Sequence, residues 1–137
     1  MRFLTSVILC ILLFSCKEAK KIEEETTQME NVMMIHDEVM PKMGKLSKLV
    51  GQLKSRVDTT TAGREYEAVM KDLQEANKSM MNWMKGFGDR FDSNEILEGK
   101  KLSPKKQEWL DEEEVKVNAL KQEINSSIER AEALLKE

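Results

Sequence analysis

Apolar residues fall into two kinds of pattern along this chain: one largely apolar run near the start, then three stretches in which they recur every seven positions. The run, Phe3 to Phe14, follows Arg2. It is too short for a membrane span of roughly 20 apolar residues but suits the core of a secretory signal. In the first repeat Ile22, Met29, His36, Met43, Val50 and Val57 are spaced by seven, with Val32, Val39, Leu46 and Leu53 three places after successive members. That is an a/d seam, and it predicts one long helix over roughly residues 22–57. Pro41 falls on the outward side of this register, where its missing N–H and its ring should bend the helix near Asp37 rather than end it.

The second repeat runs through Tyr66, Leu73, Met80 and Phe87 with Val69, Ala76 and Trp83 between them, and Gly86 and Gly88 read as its end. The third opens with Ser103 as N-cap and Pro104 at the first helical position, then carries Leu110, Val117, Ile124 and Ala131 with Leu120 and Leu134. The links, Asp58 to Gly63 and Asp89 to Leu102, hold no alternating strand pattern, and short links make antiparallel neighbours. The expected fold is therefore all-α: an antiparallel up-down-up three-helix bundle over residues 28–137, with a long, Pro-kinked first helix. At 1.5 Å per residue that helix would be about 50 Å long, and its N-terminal turns are expected to project beyond the second.

Residues 1–15 read as the signal, and Leu13-Phe14-Ser15-Cys16 at its end resembles the lipobox of bacterial lipoproteins. The resemblance implies cleavage before Cys16, its acylation, and a diacyl or triacyl anchor, which holds stably where a single chain would not. Residues 16–27 then form a polar tether. With Cys10 removed and Cys16 acylated, the mature domain has neither a disulfide nor a free thiol, so its stability must come from helix packing. The formal charge of -3 is finely mixed, leaving no basic stripe for nucleic acid. The expected location is the bacterial cell envelope, lipid-anchored at the outer membrane and facing the periplasm.

Familiar catalytic sets have little to work with: there is no triad, no CxxC, no Gly-rich phosphate loop and one histidine. The chain is not expected to be an enzyme or to need a cofactor. One patch stands out, because folding the first helix back on the second about residue 59 brings His36 level with Asn82, Trp83 and Met84, and Met40 level with Met80. Met33, His36, Met40, Met80 and Met84 then converge beside Trp83. Thioether and imidazole are soft ligands suited to Cu(I), whereas the packing reading makes Met a flexible core filler and His36 a register-setting polar residue. The same folding about the second link places Trp109 at the level of Trp83. A Met-lined groove for an apolar peptide or lipid is a third reading. Haem ranks below copper, since the covalent attachment motif CxxCH is missing. Asp58-Thr59-Thr60 resembles the O-glycosylation acceptor of secreted Bacteroidota proteins, which makes Thr59 a candidate, although a helix-ending turn explains the same residues. Asn125-Ser126-Ser127 fits the N-glycosylation pattern only formally, inside a predicted helix.

The run His36-Asp37-Glu38-Val39-Met40-Pro41-Lys42-Met43-Gly44, with Met80-Met81-Asn82-Trp83-Met84 and the lipobox, resembles small, functionally uncharacterised helical lipoproteins of the Bacteroidota, some of them labelled viral A-type inclusion protein. That resemblance implies a fold and an address rather than an activity. The expected function is a membrane-anchored structural or protein-interaction module of the envelope, meeting the membrane through Cys16 and an envelope protein, or a second copy, through a helix face. The alternative is a copper-handling lipoprotein using His36, Met40, Met80, Met84 and Trp83.

Overall fold

A computed structural model of the protein describes residues 27–136. The signal (1–15), Cys16 and residues 17–26 of the tether, Ile22 among them, lie outside the described residues. Those described are all-helical, with no strand, and form five helices: α1 (Gln28–Val39), α2 (Lys42–Lys54), α3 (Thr61–Arg90), α4 (Ser93–Leu97) and α5 (Pro104–Leu134).

The helix boundaries follow from local chemistry. Thr27 has extended dihedrals and forms a capping box: its hydroxyl accepts from Glu30 N–H and the Glu30 carboxylate accepts from Thr27 N–H. This cap starts α1 at Gln28, later than the apolar repeat predicts. Gln28 is tied to α5, its side-chain amide donating to Asp111 (3.0 Å) and Glu114 (2.7 Å), so the expected N-terminal overhang is not seen among the described residues. The long first helix is interrupted at Met40-Pro41, separating α1 from α2. Both residues keep right-handed helical dihedrals, while Met43 N–H bonds Met40 O at 3.1 Å, a tighter turn imposed where Pro41 offers no donor.

Gly86 and Gly88 do not end α3, which continues through them to Arg90. The stop comes from Phe91, extended and buried, followed by Asp92, whose carboxylate caps α4. α4 occupies the middle of the link that the sequence reads as irregular. Gly99, in the left-handed region at φ 65°, turns the chain back toward α5, which opens as expected with Ser103 accepting from Lys106 N–H and Pro104 in the first turn. Gly63 has a different duty: Asp58 folds over the first turn of α3 so closely that a Cβ there would lie 2.6 Å from its N and 2.7 Å from its O.

Side-chain pairs give the helix directions. Arg90–Glu113, Ser79–Glu123 and Asp72–Arg130 run oppositely along α3 and α5. Gln28–Asp111, Glu38–Lys121 and Lys42–Asn125 advance together along α1–α2 and α5. α5 thus packs against α1, α2 and α3, and α2 also packs against α3. α1 and α3 make no comparably close backbone approach among the described residues; large side chains meet between them. One core joins these helices, running through Met29, Val32, Val39, Leu46, Leu53, Leu73, Met80, Val117 and Ile124.

Candidate functional site

The α1–α3 contact centres on His36 and Trp83. Their rings stack with centroids 5.5 Å apart and planes at 29°, and the stack continues along α3 through Phe87 (5.0 Å from Trp83) to Phe91 (4.9 Å from Phe87). Positions 83 and 87, four apart, share one face of α3, and Phe91 follows at its extended C-cap. Phe87 was legible in the sequence only as heptad apolarity, and Phe91, inside the link, was not singled out. Trp83 is 8% exposed and its Nε1–H, fully enclosed, has no partner among the described residues. His36 stays 14% exposed, at the edge of the core, and its Nδ1 sits 2.9 Å from Asp37 Oδ1.

The methionines named from the sequence do not share one environment. Met80 is wholly buried in the core. Met33 and Met40 pack against the core from α1 while remaining partly exposed, and Met84 on α3 is 37% exposed. Met34 and Met81 point outward, each 58% exposed. A crevice between α2 and α3, lined by Leu46, Ser47, Val50, Gln74 and Asn77, marks the facing sides of the two helices. Met84 is seven residues after Asn77 on the same helix, so it lies on the side of α3 that faces α2.

Trp109 is not level with Trp83. The Arg90 guanidinium lies over its ring at 5.4 Å, with Lys105 at 5.9 Å, which places it beyond the end of α3. The reason is that the link does not fold symmetrically about its middle: with α4 inside it, α5 runs from Pro104 to Glu112 before pairing with α3.

On the opposite flank of Trp83 a shallow groove of about 390 Å³ runs between α3 and α5, lined by Ser79, Asn82, Trp83, Glu113, Lys116 and Glu123 among others. Its polar groups are largely engaged with one another or with neighbours. Ser79 Oγ donates to Glu123 (3.1 Å), and buried Glu113 accepts from Arg90 (2.8 Å) and Lys116 (2.9 Å). An acid three residues after Leu110, on the core stripe of α5, was the sequence signal for Glu113. Below it, buried Glu95 on α4 accepts from Lys106 Nζ at 2.5 Å and from Asp92 N–H at 2.9 Å, and these bonds, the Lys106 one foremost, hold its carboxyl below the usual range. The Arg90 bond does the same for Glu112, and the Lys121 bond for Glu38.

Thr59 is exposed in the loop between α2 and α3, where Asp58 Oδ1 accepts from Thr60 N–H and hydroxyl, an Asx turn that also lowers the Asp58 carboxyl. Asn125 lies inside α5 and its side-chain oxygen accepts from Lys42 (2.7 Å). Among the described residues no three His, Cys, Asp or Glu side chains converge as a metal site, and no helix is long and apolar enough to cross a membrane. Neither a known protein family, nor a curated protein, nor a solved structure matches the chain.

Proposed function

We propose that this chain is a non-enzymatic lipoprotein of the bacterial cell envelope, exported by residues 1–15 and held at the outer membrane, facing the periplasm, by acylated Cys16. Its helical domain acts as a structural or protein-interaction module. In this reading α1 and α2 form one rod bent at Pro41, which with α3 and α5 makes an up-down-up three-helix bundle.

The observation that carries the reading is how the apolar stripes are used. Met29, Val32, Val39, Leu46 and Leu53 from the first two helices, Leu73, Met80 and Phe87 from α3, and Leu110, Val117, Ile124 and Ala131 from α5 bury one another along the whole length. What remains outward is a mixed-charge surface with exposed Met34, Met81, Leu97 and Val115 set into it. A domain so closed offers partners its helix faces. Its first cap, Thr27, comes soon after Cys16 in sequence, which suits a module held near the lipid surface.

The test is fractionation of cells producing the wild-type chain and Cys16→Ser, with palmitate labelling. The wild type is expected in the membrane fraction carrying label, and the variant unlabelled and released. A variant that stays with the membrane overturns the anchor.

A further inference from the structure

His36 is arranged as a ligand is. Its Nδ1 lies 2.9 Å from Asp37 Oδ1, and an ionised carboxylate only accepts, so in the neutral ring the proton sits on Nδ1 and the lone pair on Nε2. Histidines that bind metals are commonly oriented by such a carboxylate on the far nitrogen. Nε2 itself has no hydrogen-bond partner among the described residues. Trp83 Nε1 is the one enclosed side-chain polar atom there without a partner, so His36 Nε2 retains access from outside.

Methionines neighbour His36 along its own helix and beside its stacking partner. Met33 on α1 and Met40 at its C-cap, still in helical dihedrals, stand three residues before and four after His36, partly exposed while packed against the core. Met84 approaches from α3: it adjoins Trp83, which stacks on His36, and it lies on the side of α3 that faces α1–α2 rather than the α5 groove. Met80 is enclosed in the core and belongs to packing. Unlike Met34 and Met81, each 58% exposed, Met40 is packed against the core and Met84 is only 37% exposed. Met side chains are unbranched, so they reorient around a guest at little cost.

We propose that the α1–α3 contact binds one Cu(I) through His36 Nε2 and the thioether sulfurs of Met40 and Met84, with Trp83 covering the site. The ligand chemistry selects the ion: thioether sulfur is soft and favours Cu(I), whereas Zn²⁺ and harder cations seek thiolate, nitrogen and oxygen donors, and no third His, Cys, Asp or Glu joins His36 among the described residues. The proposal does not depend on the Cys16 anchor.

The experiment uses the full chain with Cys10→Ser and Cys16→Ser, so that no thiol competes, in mild detergent without oxygen. Cu(I) is titrated against a chromophoric chelator while Trp fluorescence is followed. The expected result is one equivalent bound, with quenching as it binds. His36→Gln and Met84→Leu should each weaken binding at least tenfold, and Met34→Leu should leave it unchanged. Met→Leu nearly conserves volume, and circular dichroism of each variant keeps loss of binding separate from loss of fold. Failure to compete with the chelator overturns the proposal. So does binding that survives in the His36→Gln, Met84→Leu double variant, or Zn²⁺ displacing Cu(I) equivalent for equivalent.

Discussion

Two glycines in the same helix show how single residues act through their surroundings. Gly63 sits under Asp58, and a Cβ there would meet the Asp58 backbone N and O as well as its side-chain carboxylate, so moving the side chain alone would not make room; Gly86 has nothing within 4 Å of where its Cβ would be. Gly63→Ala should therefore destabilise the fold by about 1–3 kcal/mol, as overpacking does. Gly86→Ala, in the helix interior with open space, should stabilise it by about 0.5–1 kcal/mol. Urea unfolding of the two variants checks both signs, and equal effects would remove the distinction. His36 makes the same point for chemistry. Its place in the seven-residue repeat was plain from the sequence, but the Asp37 bond and the exposed edge that free Nε2 are matters of side-chain placement, which spacing does not encode.

Element boundaries were legible where a capping residue set them and misleading where only a breaker residue suggested them. Ser103-Pro104 opens α5 as read, because an N-cap hydroxyl and a preset φ act locally. Gly86 and Gly88 lower helix propensity without ending α3, because burial of Trp83, Phe87 and Phe91 outweighs the roughly 1 kcal/mol each glycine costs. α4 was missed: five residues are too few for a periodic signal, and the capping-box spacing of Asp92 and Glu95 that starts it went unread; Glu95 also pairs with Lys106 on α5. That ion pair predicts acid sensitivity. The Glu95 carboxyl is held below its ordinary 4.5, so its contribution is present above that pH and is lost as pH falls through the depressed value. Glu95→Gln should be less stable than wild type at neutral pH, and the two stabilities should converge as pH drops below 4.5. Urea midpoints against pH measure this; parallel curves would contradict it.

For the whole molecule, α5 is the element on which the others depend, since it packs against α1, α2 and α3. Ile124, fully buried on it, should cost about 2–5 kcal/mol when replaced by alanine. Hydrogen exchange should then show protection falling in α1, α2 and α3 together, whereas a loss confined to α5 would mean the helices are held independently. The helical class, the core stripes and the cap at Ser103 were legible from the residues alone, because periodicity and capping act within a few residues. The sequence also placed His36 opposite Trp83, since the tight turn after α2 leaves little freedom of register. Only the tertiary structure decided that Trp109 passes beyond α3, that Met80 is sealed in while Met84 stays accessible, and that Glu113 is buried between Arg90 and Lys116. Each of these depends on how far one helix slides along another, and that offset is set by the packing of all the helices at once, with α4 folded into the link between them.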